Sequence, residues 1–135
     1  RQIVRDGEGA TKFVTVRVTG AADWATARQV GLAVANSNLV KTAFYGGDPN
    51  WGRIISAAGA AGVALDPAAV ELTFDGLPLF RQGQGIASHL QQLVEVMKKD
   101  HIRVVVGLGQ GVKSFRVFSS DLSLDYVKIN AHYTT

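Results

Sequence analysis

Cysteine is absent from the 135 residues of this chain. Its absence excludes disulfide bonds, thiolate metal ligands and a cysteine nucleophile, and it is consistent with a reducing cytosol. Long hydrophobic runs are also absent. No stretch approaches the roughly eighteen consecutive apolar residues of a membrane span, and the N-terminus has no apolar signal core. We therefore predict a cytoplasmic protein with no membrane partner.

Neither sign of charge is concentrated in one part of the sequence. Fourteen Lys and Arg residues stand against eleven Asp and Glu residues, which gives a formal net charge of +3, and the basic residues are scattered. Scattered charge indicates a solvated surface and gives little support for a nucleic-acid partner. With 47% hydrophobic and 19% charged residues, the chain is predicted to form a single globular domain over residues 1–135.

The motifs of self-sufficient catalytic sites are missing as well. There is no Walker loop and no GxSxG, and the glycine-rich stretch Gly107–Gly111 lacks the last glycine of GxGxxG. Asp48 and Asn50 have the spacing of a calcium loop, but Gly52 stands where another oxygen ligand is needed. The three histidines share no metal-ligand spacing. We therefore expect neither a catalytic residue nor a metal site within this chain.

Apolar residues alternate with polar ones in several parts of the chain, as in half-buried strands. The predicted strand regions are residues 11–19, 69–80 and 101–118. Asp75-Gly76 predicts a hairpin turn, and Pro78 just after it suggests an edge strand. Gly20 is expected to break the first strand, and Gly107–Gly111 is expected to form a hairpin turn between the last two.

Helical spacing of apolar residues predicts several helices. Their ranges are Asp23–Ala35, Ser88–Lys99 and Leu124–Tyr133, the last capped by Asp121 or Ser123. Leu39–Tyr45 fits either a short helix or a buried strand, and we favour the helix. In the helix over Ser88–Lys99, the face predicted to be buried consists of Leu90, Leu93, Val94 and Met97. The predicted fold class is α+β, with a mostly antiparallel sheet backed by helices.

A further helix is predicted after the glycine pair at Gly46 and Gly47. Asp48 is expected to be its N-cap and Pro49 its first residue, and the helix should end near Gly62. Because Ala and Gly dominate this stretch, the helix is thin, and we expect it to be central and buried. Arg53 near its start either pairs locally or helps the helix N-terminus to hold an anion.

Three segments in this order resemble one known family. They are Asp6–Lys12 (DGEGATK), Val40–Gly62 (VKTAFYGGDPNWGRIISAAGAAG) and Asp121–Ala131 (DLSLDYVKINA). The family is that of the ornithine acetyltransferases of arginine biosynthesis, the bifunctional glutamate N-acetyltransferases. The resemblance implies an acyltransferase and the C-terminal domain of that fold.

Members of this family are made as a precursor that cuts itself, and the new N-terminal Thr of the β chain is the nucleophile. The resemblance implies that an acetyl group passes from N-acetylornithine to this Thr and then to glutamate. The chain would be the C-terminal portion of the β chain, with the nucleophile upstream of Arg1. It would then be inactive alone and would work in a hetero-oligomer with the α chain and the remainder of the β chain.

The same resemblance assigns three substrate-binding residues, Glu8, Asn130 and Thr135. Without it, Glu8 would be a turn residue, Asn130 the end of a helix and Thr135 a chain end. No cofactor is implied, although acetyl-CoA serves some relatives as a co-substrate. The alternative is a non-catalytic amino-acid-binding module that retains one edge of the pocket.

Overall fold

The computed structural model describes residues 12–121, which form a six-stranded sheet and four helices. The strands are β1 (Phe13–Ala21), β2 (Glu71–Phe74), β3 (Leu77–Arg81), β4 (Gln84–Gly85), β5 (His101–Gly107) and β6 (Lys113–Ser120). The helices are α1 (Trp24–Ala35), α2 (Asn38–Tyr45), α3 (Trp51–Gly59) and α4 (Leu90–Met97). No helix among these residues is long and apolar enough to cross a membrane.

The strand order in the sheet is β4-β3-β2-β5-β1-β6. The β1–β5 pair is parallel, and every other neighbouring pair is antiparallel. The prediction of an α+β fold with a mostly antiparallel sheet is therefore confirmed. Leu39–Tyr45 is helical, as favoured, since α2 covers it.

One face of the sheet carries the core. Successive side chains of a strand point to opposite faces, and on β1 the core-facing set is Val14, Val16 and Val18, each at most 1% exposed. Ile102 and Val104 of β5 lie in register beside Val14 and Val16. Apolar side chains from all four helices join the same buried cluster. The helices therefore form a layer on this face.

Helix α1 is tied closely to β1 and β6. Its N-cap is Asp23, whose Oδ1 accepts a hydrogen bond from the Thr26 N–H at 2.7 Å. Within the helix, a Cβ on Gly31 would lie 3.0 Å from Cδ2 of Phe115 on β6. The missing side chain thus allows Phe115 to pack directly against the helix, and α1 lies over the β1–β6 edge of the sheet.

The predicted hairpin at Asp75-Gly76 is confirmed. Both residues have positive φ, 49° and 83°, as the tight turns of two-residue hairpins require. The Asp75 carboxylate also accepts hydrogen bonds from the Arg103 N–H at 2.8 Å and from Lys99 Nζ at 3.0 Å. This turn is therefore fastened to the neighbouring strand β5.

The prediction of a hairpin turn at Gly107–Gly111 is wrong. Strands β5 and β6 do not pair with each other, because β1 lies between them and pairs with both. The glycine-rich stretch instead crosses the end of β1, where the N–H groups of Gln110 and Gly111 donate to the Gly20 carbonyl at 2.7 and 2.9 Å. Gly20 does not end the strand either, since β1 continues to Ala21 through an irregular register.

The buried face predicted for α4 is only partly right. Leu93 and Met97 are buried, but Leu90 is 57% and Val94 43% exposed, and Val96 is buried in their place. The helix is also shorter than predicted. Leu93, Val96 and Met97 are spaced at i, i+3 and i+4, so the buried side of the helix is rotated about its axis relative to the predicted one.

The crossing at the end of β1 predicts the effect of Gly111→Ala. The added Cβ would lie 2.8 Å from the Ala21 carbonyl oxygen, and this oxygen belongs to the main chain and cannot rotate away. We expect a loss of roughly 1–3 kcal/mol in the free energy of unfolding, measured by denaturant titration. Gly59→Ala is the control, because nothing lies within 4 Å of its added Cβ. Equal stability of the two variants would contradict the close approach.

The Asp23 cap of α1 predicts that the stability of the fold depends on pH. The hydrogen bonds from Thr26 hold the pKa of Asp23 below its ordinary value of 3.8. A carboxyl whose pKa is lowered on folding stabilises the protein above its unfolded pKa, and this contribution disappears as pH falls through the folded pKa. The stability difference between the parent chain and Asp23→Asn should therefore shrink between neutral pH and pH values below 3.8. A difference that stays constant would rule out this role.

Candidate functional site

The two ends of the described chain meet at one place. The Lys12 N–H donates to Oδ1 of Asp121 at 2.8 Å, and the Asp121 N–H donates to the Lys12 carbonyl at 3.3 Å. Beside them, Phe13 of β1 is paired with Ser120 of β6. The chain therefore enters and leaves the described fold at the same end of the β1–β6 pair.

The predicted substrate-binding residues Glu8, Asn130 and Thr135 all lie outside the described residues. Their distance along the chain from the meeting point is nevertheless fixed: Glu8 is four residues before Lys12, and Asn130 is nine residues after Asp121. A fully extended chain covers at most about 3.6 Å per residue, so these tethers reach about 14 and 32 Å. Chain length alone therefore allows Glu8 and Asn130 to reach one pocket.

Aromatic side chains surround the meeting point on the face of the sheet opposite to the core. The ring of Phe13 lies 4.7 Å from that of His101 and 5.3 Å from that of Phe118, measured between centroids. His101 Nε2 is hydrogen-bonded to Thr15 Oγ1 at 2.7 Å. The Phe118 side chain is 52% exposed, and the Arg116 guanidinium lies 5.6 Å from its ring centroid. The surface here combines aromatic rings with positive charge.

The N-terminus of α3 differs from the sequence-based prediction. Asn50, not Asp48, is the N-cap, and its Oδ1 accepts from the Arg53 N–H at 2.9 Å. A capping side chain bonds the amide two or three residues later. Asp48 lies too far before the first helical residue, Trp51, to reach the Arg53 amide that Asn50 caps. Asp48 instead accepts from Asn50 Nδ2 at 3.1 Å and so orients the cap, while Pro49 precedes the helix.

Arg53 is hydrogen-bonded to helix α2, and the anion-binding role weighed for it stays a prediction. Its Nη1 donates to the Leu39 carbonyl at 2.9 Å and to Thr42 Oγ1 at 3.3 Å, which fastens α3 to α2. A shallow cavity of about 360 Å³ adjoins this contact. Its lining includes Ser37 and Ser56, and the guanidinium on its wall is already hydrogen-bonded. Arg53 therefore links α3 to α2 by hydrogen bonds.

Helix α3 is less buried than predicted. Only Ile54 and Ala58 are buried, and the helix ends at Gly59 instead of near Gly62. Trp51 is 39% exposed and leans on Phe80 with the ring centroids 5.1 Å apart. One side of α3 therefore faces the core and the other faces solvent.

Neither the hydrogen bond between Lys12 and Asp121 nor the partial burial of Lys41 was predicted from the sequence. Asp121 is fully buried, and its partner Lys12 is 109 positions away, so no local pattern could have revealed the contact. Partial burial lowers the pKa of the Lys41 ammonium. Within residues 12–121, no three His, Cys, Asp or Glu side chains are grouped so that they could hold a metal ion.

Comparisons with known proteins agree with the resemblance seen in the sequence. The sequence model of the ArgJ family matches residues 1–135. An arginine biosynthesis bifunctional protein ArgJ of Syntrophotalea carbinolica is 49% identical over 136 residues, which cover 100% of this chain and 35% of that protein. A glutamate N-acetyltransferase of Methanocaldococcus jannaschii is 44% identical over 146 residues, covering 100% of this chain and 36% of the relative. The chain thus spans about a third of the length of these curated relatives.

A solved structure has the same fold. The crystal structure of an arginine biosynthesis bifunctional protein ArgJ from Bacillus halodurans matches with a TM-score of 0.88 and 38% sequence identity. The match covers 98% of this chain and 62% of that one. Because the family model spans the entire chain and the fold agrees, the chain belongs to the ArgJ family.

Proposed function

We propose that this chain supplies substrate-binding residues to a glutamate N-acetyltransferase of arginine biosynthesis. The proposal rests on the family membership and on the names of the relatives. The structural observation that carries it is the meeting of Lys12 and Asp121, because it joins the segment with Glu8 to the segment with Asn130 and Thr135. Two parts of the chain that are far apart in sequence can thereby serve one ligand.

The three residues suit a free amino acid. The Glu8 carboxylate binds an ammonium group of the substrate through charge-assisted hydrogen bonds. The Asn130 amide offers both a donor and an acceptor, and Thr135 offers a hydroxyl. None of the three has to react, so their roles are binding and orientation.

The chemistry itself is assigned to a threonine upstream of these 135 residues. Its hydroxyl attacks the acetyl carbonyl of N-acetylornithine while its own α-amine takes the hydroxyl proton. The C–N bond then breaks, and ornithine leaves with that proton as an acetyl-threonine ester forms. The amine of glutamate attacks the ester in the second half, which regenerates the threonine hydroxyl and yields N-acetylglutamate.

The proposed working form is a cytoplasmic hetero-oligomer of this chain with an α chain and the rest of the β chain, and the chain alone is inactive. No cofactor is required, although acetyl-CoA is a possible second acetyl donor. The direct test is to co-produce the chain with the upstream region of a relative and to assay acetyl transfer from N-acetylornithine to glutamate. A folded complex without transfer, together with micromolar binding of ornithine or glutamate by the lone chain in calorimetry, would favour the non-catalytic binding module.

Glu8→Gln tests the assignment of the carboxylate. Losing one charge-assisted hydrogen bond costs about 1.5–3 kcal/mol, which corresponds to a roughly 10- to 160-fold loss in kcat/KM. We expect this loss to appear mainly in KM, with self-cleavage of the precursor intact.

The matched control for this variant is Glu95→Gln. Glu95 is an exposed acid on α4 that pairs with Lys98, three residues later, at 3.4 Å, and its loss should leave the kinetics unchanged. Unchanged kinetics in Glu8→Gln would withdraw the substrate-binding role of this residue.

A further inference from the structure

We propose that Asp121 is a positioning residue that fastens together the two segments carrying the proposed substrate ligands. This inference rests on the function proposed above for Glu8, Asn130 and Thr135. Among residues 12–121, Asp121 is the one polar or charged residue that is buried, with 0% exposure. A buried carboxylate is costly unless hydrogen bonds compensate it, so its position calls for a structural reason.

The reason lies in the register of β1 and β6. Phe13 faces Ser120, so Lys12 and Asp121 form the next antiparallel pair. In a regular hydrogen-bonded pair the two residues exchange both main-chain hydrogen bonds. Here the Asp121 N–H donates to the Lys12 carbonyl at 3.3 Å, but the Lys12 N–H donates to the Asp121 side chain at 2.8 Å. The carboxylate therefore takes the acceptor position that a main-chain carbonyl normally has.

This substitution strengthens the last pair of the ladder. A hydrogen bond to a charged acceptor is shorter and stronger than one to a neutral carbonyl, and burial in a low-dielectric setting strengthens it further. The terminal pair of a two-strand ladder is otherwise the first to open. Asp121 thus closes the β1–β6 pair at the point where the chain enters and leaves the described fold.

Opening of this pair would affect both substrate-binding segments at once. On β1, Phe13 stays bonded to β5 when the Lys12–Asp121 pair opens, so one residue of slack is added before it. Glu8 would then be tethered by five residues instead of four. On β6 the next pair with main-chain exchange lies at Ser119, which adds two residues of slack there. Looser ligands weaken substrate binding without changing the nucleophile, because the nucleophile is assigned to an upstream segment. The expected signature is a higher KM for both substrates at a nearly constant kcat.

The experiment compares three variants. Asp121→Ala removes the acceptor, and Asp121→Asn keeps an oxygen in place but removes its charge. Ser119→Ala is the matched control, because Ser119 also lies on β6 and its Oγ donates to the Ala35 carbonyl at 2.7 Å. The control removes one hydrogen bond of the same strand, but toward α1 and not toward Lys12. It reproduces a general loss of stability without opening the terminal pair.

The first measurement is amide hydrogen exchange at Lys12 in this chain, followed by NMR. We expect exchange to rise about tenfold or more in Asp121→Ala and by a smaller factor in Asp121→Asn, since the charge accounts for part of the bond. Ser119→Ala should leave it near the parent rate. If neither Asp121 variant exchanges faster than the control, Asp121 does not fasten the pair.

The second measurement is KM and kcat in the co-produced complex. We expect Asp121→Ala to raise KM for N-acetylornithine and for glutamate about tenfold, Asp121→Asn to raise both less, and kcat to stay within about twofold. If Asp121→Ala does not fold, the nearly isosteric Asp121→Asn must still show faster Lys12 exchange with a higher KM. Faster exchange with unchanged KM would overturn the positioning role alone, whereas a parent complex without acetyl transfer would refute the proposed function and this inference with it.

Discussion

The position of β1 between a parallel and an antiparallel neighbour is the constraint on which the rest of this structure depends. Val14, Val16 and Val18 are at most 1% exposed, so shifting the strand by one residue would move its whole apolar face out of the core. With β1 fixed, β5 and β6 must lie on either side of it, and the chain between them must cross its end. The crossing segment donates hydrogen bonds to the Gly20 carbonyl. At the opposite end of β1, the Lys12–Asp121 pair brings the two ends of the described chain together.

Local sequence patterns were sufficient to predict most helices and strands, but they were insufficient to predict which of these elements contact one another. Alternating apolar residues and the Asp75-Gly76 turn correctly predicted every strand of the described chain except the two-residue β4, because these signals lie within a few residues. Gly107–Gly111 looked like a hairpin since its flanking strands are adjacent in sequence, yet a strand almost ninety positions earlier occupies the place between them. The prediction of the buried face of α4 was partly wrong for a related reason, because periodicity gives a helix an apolar side but does not fix how the helix is rotated against the core.

For the candidate site, too, some features could be predicted from the sequence and others could not. Residue chemistry alone identifies Glu8, Asn130 and Thr135 as ordinary turn and end residues, and only the family resemblance assigns them a substrate. Asp121 was predicted only as a possible helix cap, and its bond to Lys12 could not be predicted because the two residues lie 109 positions apart. Arg53, in the most recognisable motif of the chain, holds α2 to α3. In the described part of the chain, these motif residues maintain the scaffold, and the proposed binding residues are attached to it.

The most direct test of the proposed function is a crystal structure of the co-produced complex with ornithine bound. The account predicts that the Glu8 carboxylate and the Asn130 amide both lie within hydrogen-bonding distance, about 3 Å, of the same ligand. It also predicts that the ligand lies near the end of β1 where Lys12 meets Asp121. Ornithine bound without contact to either residue, or the two residues on separate surfaces, would contradict it.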